Sequence, residues 1–234
     1  MELQTLRDAE RYLDGLINRE KKTQYDYERL GLAPIRALLA AIGNPERGLR
    51  CLHVAGSKGK GTVTLVAEHL LRAAGKSVGA YTSPHLVSWR ERFRIDGAPV
   101  GEAALVRALR AMQPEIERLR QDSELCPSFF DVSTALALAL FRDAAVDFAA
   151  IEVGLGGRLD STNAIESSVS IVTTIQLEHT DKLGDTLEAI AREKAGIFKK
   201  GVPALFFEQD ATVDGVMREV AAEVGAELRI VNKD

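Results

Sequence analysis

His53-Val-Ala-Gly-Ser-Lys-Gly-Lys-Gly-Thr62 follows a short apolar strand start, Leu52 and Val54, and runs straight into a helical pattern. A strand, a glycine-rich turn and a helix in that order form a phosphate cradle. Glycines let the backbone curl so that successive N–H groups face one anion. The following helix adds its unpaired N-terminal donors and the positive end of its dipole. Gly56, Ser57, Lys58 and Gly59 supply the turn, Lys60 reaches for the outer phosphates, and Thr62 offers a hydroxyl to a phosphate or a magnesium ion. The spacing departs from the common Gly-x-x-x-x-Gly-Lys-Ser/Thr loop, because Gly61 stands between the lysine and the hydroxyl.

Outside the loop, the helical pattern holds Val63, Val66, Ala67, Leu70, Leu71 and Ala74 on one apolar face, and Gly75 stops it. The chain has 234 residues, 46% of them apolar, which allows a sizeable core in one or two domains. Thirty basic against 34 acidic residues give a net charge of −4, and so no reason to expect a nucleic-acid partner. Cys51 and Cys126 lie far apart without metal-ligand spacing, which points to a reduced, cytosolic setting; the four histidines form no zinc pattern. No signal-peptide pattern and no run of membrane-spanning length is present, so no membrane partner is expected.

Residues 3–17 read as an amphipathic helix with Leu3, Leu6, Leu13, Leu16 and Ile17 on one side, 19–30 as an exposed loop, and 34–42 as a second helix. From there strands and helices alternate. The expected strands are 50–55, 77–82, 148–153, 169–175, 203–208 and 227–232. The expected helices are 61–74, 101–120, 131–142, 185–199 and 211–224, with 131–142 apolar nearly all round. This alternation predicts an α/β fold, a mostly parallel sheet with helices on both faces. Ligands in such sheets sit beyond the carboxyl ends of the strands.

Those ends carry polar residues: Ser83 in Thr82-Ser83-Pro84-His85-Leu86, Glu152 and the Gly154–Asp160 stretch, and His179 in Leu177-Glu178-His179-Thr180. Glu152 ends the run Phe148-Ala149-Ala150-Ile151, where a central parallel strand stays apolar. A carboxylate there is either paired in a structural ion pair or holds the cation of a bound nucleotide. His179 and Ser83 are weaker signals, raised by their shared place at strand ends. Asp185 and Glu188 have capping-box spacing for the 185–199 helix. Lys194 lies seven residues after Leu187 and returns to its inward face, where burial favours a neutral, nucleophilic amine.

Five segments in order, His53–Thr62, Thr82–Leu86 with Glu91-Arg92, Glu152–Asn163, Leu177–Thr180 and Glu193–Ile197, resemble the motifs of folylpolyglutamate synthase and the bifunctional dihydrofolate synthase. These are members of the Mur ligase superfamily of ATP-dependent, amide-bond-forming ligases. The resemblance runs from about residue 10 to the end and includes Gly61. Ser57-Lys58 stands where Thr-Asn is common in the family, and Glu178 where Asp is common.

The resemblance implies a central-domain-like fold across 1–234, with 1–45 as a helical segment carrying a substrate loop. It implies ATP phosphates on residues 56–62, and magnesium held by Ser83, Glu152 and His179. It implies a carbamate on Lys194 that turns a cation into a metal ligand. Lys60, Glu152, His179 and Lys194 carry the chemistry in this reading, while Ser128, Phe130, Asp160 and Ser161 contact a pterin. The substrates implied are ATP, L-glutamate and a folate or dihydropteroate carboxylate, activated as an acyl phosphate. A monomer is expected. Family members are longer, and their separate C-terminal domain has no counterpart in this sequence. The chain alone is therefore expected to bind magnesium-ATP weakly and not to ligate glutamate. The competing readings are a non-catalytic ATP-binding fragment or subunit that needs such a domain in trans, and a small-molecule kinase.

Overall fold

The computed structural model describes residues 2–20, 27 and 30–231. Its strands are β1 (Cys51–Ala55), β2 (Val78–Tyr81), β3 (Phe93–Ile95), β4 (Ala98–Pro99), β5 (Phe148–Glu152), β6 (Ser167–Val172), β7 (Pro203–Phe207) and β8 (Glu227–Val231). The helices are α1 (Leu6–Asp14), α2 (Ala33–Ala41), α3 (Lys60–Ala73), α4 (Glu102–Leu119), α5 (Phe129–Asp143), α6 (Thr180–Leu183), α7 (Leu187–Ala195) and α8 (Ala211–Val224). One sheet runs in the order β4-β3-β2-β5-β1-β6-β7-β8. The six strands from β2 to β8 are parallel, and β3 and β4 join antiparallel at one edge.

The six parallel strands are the six read from the sequence, because each is a short apolar run between turn signals. β2 is buried along its whole length, and β5 nearly so, as parallel strands covered on both faces must be. β8, at the far edge, instead alternates Leu228 and Ile230 with exposed Glu227, Arg229 and Val231. β1 lies centrally, with β5 on one side and β6 on the other. The connection from β1 crosses to β2 and the connection from β5 crosses the other way to β6, so a crevice opens at the carboxyl ends of β1 and β5.

α5 is buried over most of its surface, as its sequence predicts, and starts at Phe129 behind a Ser128–Asp131 capping box. Gly79 of β2 has no side chain because the Phe141 ring of α5 rests there. One apolar core gathers α1, α2, α4 and α5 around Leu13, Leu38, Leu109, Leu136 and Phe141. A second joins α7 and α8 to β6 and β7 through Ile190, Phe206, Val213 and Met217.

Four expectations are corrected. The buried residues of α3 are Thr64 and Glu68, whereas Val66 and Leu70 are exposed. Glu68 faces inward because it pairs with Arg94 (3.2 Å) and accepts the Gly97 N–H (2.7 Å). Both partners belong to the β3–β4 hairpin, which the sequence reading passed over although its turn is Asp96-Gly97, both at positive φ. The cap of α7 is Thr186, whose hydroxyl accepts the Ala189 N–H, not Asp185, and the helix closes at Ala195. In the expected exposed loop 19–30, residues 21–26, 28 and 29 lie outside the described residues, but Tyr27 is buried and donates to Glu193 (3.0 Å).

Candidate active site

The glycine-rich loop after β1 is braced from one side. The Ser57 N–H donates to Thr174 O (2.7 Å), the Ser57 hydroxyl exchanges bonds with the Gln176 backbone, and Thr173 Oγ1 donates to Lys58 O (2.7 Å). Gly56 has φ 138°, and any side chain there would run into Thr173. Gly59, at φ 84°, turns the chain into α3. Lys60 Nζ folds over the loop and donates to Gly56 O (2.9 Å) and Ser57 O (3.4 Å). Thr62 is exposed on the first turn of α3.

The inserted glycine has a physical reason. A Cβ on Gly61 would stand 3.3 Å from Glu152 Oε2 and 3.4 Å from Oε1. Gly61 thus lets the strand-end carboxylate press against the start of α3. Glu152 is buried, and its Oε2 accepts the Ser83 N–H (2.9 Å). Burial pushes its carboxyl above the usual range, against the pull of the Ser83 N–H and Lys60. The loop bearing Ser83 is itself braced: Glu91 accepts the N–H groups of Leu86, Val87 and Ser88.

Lys194 reaches the same corner from α7. It is 1% exposed, and its Nζ donates to Gly56 O (2.9 Å) and to Glu178 Oε1 (2.8 Å). Burial lowers its pKa, opposed by Glu178. For Glu178, burial raises the carboxyl but the bond and charge of Lys194 outweigh it, and the net shift is downward. His179, next along, takes a left-handed φ of 46° at the start of α6, and partial burial lowers its pKa. Gly157 and Gly196 allow the Gly154–Asp160 stretch to lie against the end of α7, where side chains would strike Glu193, Lys194 and Arg158.

Beside this corner lies a cavity of about 730 Å³. Ser83, Ser128, Phe130, Asp160, Ser161 and His179 all line it, so every residue read as a pterin contact shares one space with two read as metal ligands. Asp160 does not present free oxygens. Oδ2 accepts the N–H groups of Gly154 (3.1 Å) and Leu155 (2.9 Å), and Oδ1 accepts the Thr162 N–H (3.0 Å) and hydroxyl (2.5 Å). Those four bonds fill its acceptor positions. Burial still pushes its pKa up to about 6.

Sequence reasoning missed Asp131, which also lines the cavity. Its Oδ2 accepts the Ser128 N–H (2.8 Å) and hydroxyl (2.6 Å), and its Oδ1 the Ser161 hydroxyl (2.7 Å). Ser-x-x-Asp before an apolar run was the available signal. Arg92, quoted above within a family-like motif but given no role, is buried. It forks onto Glu20 (2.8 and 2.6 Å), donates to His85 Nδ1 (2.8 Å) and lies over the Phe129 ring.

Among the described residues no three His, Cys, Asp or Glu side chains converge as a metal cluster. The Glu152 carboxylate and Ser83 hydroxyl are hard oxygen donors. They fit magnesium, which binds through one or two carboxylates together with substrate phosphates and water.

Known proteins resemble the chain in sequence and in fold. Residues 126–227 match the Mur ligase middle domain. The chain is 42% identical over 200 residues to the dihydrofolate synthase/folylpolyglutamate synthase of Escherichia coli, covering 86% of this chain and 46% of that one. It is 44% identical over 172 residues to the folylpolyglutamate synthase of Lacticaseibacillus casei, covering 73% and 40%. Among solved structures, E. coli FolC in complex with DHPP and ADP superposes with a TM-score of 0.86 at 37% identity over 98% of this chain and 52% of that one. An FPGS-AMPPCP-folate complex gives 0.89 at 35% identity over 99% and 55%. The chain thus spans about half the length of the relatives it matches, and over that span it is similar, in sequence and in fold, to the folylpolyglutamate synthases and dihydrofolate synthases of the Mur ligases.

Proposed function

We propose that the chain serves an ATP-dependent ligase that joins L-glutamate to the carboxylate of a folate or of dihydropteroate. The observation that carries this reading is the corner where the phosphate loop, Glu152 and Lys194 meet, opening onto the cavity lined by Phe130, Asp131 and Asp160. Support comes from two relatives solved with a nucleotide and a folate-type ligand, one with DHPP and ADP and the other with AMPPCP and folate.

The geometry supports the following roles. The loop N–H groups and Lys60 bind the ATP phosphates, and Lys60 exchanges its bonds to Gly56 and Ser57 for phosphate oxygens. Glu152 and Ser83, with His179 on the cavity rim, would hold magnesium, which supplies charge neutralisation on the transferring phosphoryl group. Phe130 offers a ring face to a flat heterocycle, and the polar groups of Ser128, Asp131 and Ser161 line the same wall. The acceptor carboxylate attacks the terminal phosphorus and gives an acyl phosphate and ADP. The glutamate amine then displaces phosphate to form the amide. Such chemistry depends mainly on positioning and electrostatics. A neutral Lys194 amine, favoured by its burial, is the form able to take up carbon dioxide as a carbamate, and its salt bridge to Glu178 opposes that step. Residues 1–234 act as one ATP-binding unit, with the N-terminal segment closing the cavity through Ile17, Arg19 and Glu20. The two free thiols suit a reducing compartment such as the cytosol.

Calorimetric titration of magnesium-ATP, then of dihydropteroate and tetrahydrofolate, tests this. Lys60→Ala is expected to lower ATP affinity at least tenfold, from loss of a charge-assisted contact. Full ATP affinity in that variant would sink the scheme. Tighter binding of dihydropteroate or of tetrahydrofolate decides the acceptor. Phosphorylation of an acceptor with no need for glutamate would favour a kinase instead.

A further inference from the structure

His53 opens the motif, yet no step above uses it. It is fully buried in β1, three residues before the Gly56 carbonyl that receives both lysines. Its Nε2 lies 2.8 Å from Thr162 Oγ1, and its Nδ1 is buried without a hydrogen-bond partner among the described residues. Thr162 has one hydroxyl proton and gives it to Asp160 Oδ1. Its oxygen can therefore only accept from His53, which places the imidazole proton on Nε2 and leaves Nδ1 bare. An unmet buried acceptor is costly, and a leucine or isoleucine at this strand position would avoid it. The cost is understandable if the Nε2–H bond matters. That bond completes a chain from β1 through Thr162 to Asp160, whose other oxygen holds the Gly154 and Leu155 N–H groups on the cavity wall.

We propose that His53 and Thr162 are positioning residues for the acceptor cavity: through the Asp160 carboxylate they hold the Gly154–Leu155 turn in its binding shape, from the strand that also feeds the phosphate loop. The consequence for recognition rests on the cavity being the acceptor site; the hydrogen-bond chain itself does not. The phosphate loop is braced separately by Thr173, Thr174 and Gln176. Loss of the chain should therefore weaken the acceptor and spare the nucleotide.

Side-chain nitrogen NMR of the 234-residue chain is expected to show a neutral His53 protonated at Nε2. In Thr162→Val the Gly154 and Leu155 amides should exchange with solvent on the order of tenfold faster, and dihydropteroate should bind on the order of tenfold more weakly, the scale of one lost charge-assisted bond. ADP affinity should stay within about twofold. Thr162→Ser should restore both properties. His53→Gln, which keeps a donor, should lie closer to wild type than His53→Leu. A proton on Nδ1, or amide exchange unchanged in Thr162→Val, overturns the proposal. Should wild type bind ADP but no pteridine, the acceptor reading fails, while tautomer and exchange still decide the hydrogen-bond chain.

Discussion

One methyl group tests the corner where Gly61 faces Glu152. In Gly61→Ala the new Cβ sits 3.3 Å from a carboxylate oxygen, tighter than ordinary van der Waals contact, so Glu152 must give by a few tenths of an ångström and its bond to the Ser83 N–H is disturbed. Magnesium-ATP affinity is expected to fall roughly tenfold to a hundredfold, as for other small misplacements of a site group. Thermal stability should change by under about 1 kcal/mol, because alanine suits a helical start. A titration paired with a melting curve separates the two. At the same scale, His53 is held at about 3 by burial, with Lys199 adding a smaller push, whereas the unfolded chain titrates near 6.5. Unfolding thus takes up a proton between those values, and this group costs stability as pH falls through them. Asp160 acts oppositely, since its pKa is raised to about 6 from 3.8 and the folded chain binds its proton first. The two effects offset each other in wild type. His53→Gln removes one, so between pH 6 and 4 the variant should gain on wild type by ~1.4 kcal/mol per pH unit at most. Denaturant unfolding across that range checks the sign.

Single elements show what could be read from the chain and what could not. The parallel strands were legible because each is an apolar run that turn residues interrupt, and α5 because every position from Ala135 to Phe141 is apolar. Strand ends then pointed to Ser83, Glu152 and His179 without any knowledge of contacts. α3 misled, because its apolar stripe faces water at Val66 and Leu70 while Glu68 turns inward to a hairpin 26 and 29 positions away. The long-range contacts of Asp131 and Arg92 stayed hidden for the same reason. The Ser128–Asp131 capping box is local, but the bonds that tie Asp131 to Ser161 and Arg92 to Glu20 span 30 and 72 positions, beyond any local pattern. The cap of α7 is testable by itself. Thr186→Ala removes the bond to the Ala189 N–H and should cost about 1 kcal/mol, a typical N-cap loss. Asp185→Ala should cost less than half of that, and chemical denaturation distinguishes them.

Across the whole molecule, distant pieces are joined through a few buried charges. Arg92 ties the N-terminal segment to the sheet through Glu20, and carries His85 and the Phe129 ring with it. Arg92→Leu leaves Glu20 partly desolvated and unpaired, and is expected to destabilise the chain by roughly 3 kcal/mol. Urea unfolding measures this, and proteolysis should cut first near residue 20 if the segment comes loose. The Gly56 carbonyl has a wider consequence. Two ammonium groups, Lys60 and Lys194, each stand 2.9 Å from that single oxygen, so they lie within twice that distance of one another. Among the described residues Glu178 pairs with Lys194 at 2.8 Å, and Glu152 and Asp160 add negative charge near the two lysines. A polyanion such as ATP must displace the internal contacts of Lys60, and its capture should be governed by counterions. Its affinity should drop steeply between low and physiological salt, over which the Debye length shrinks from about 30 to 8 Å, while that of adenosine should barely move.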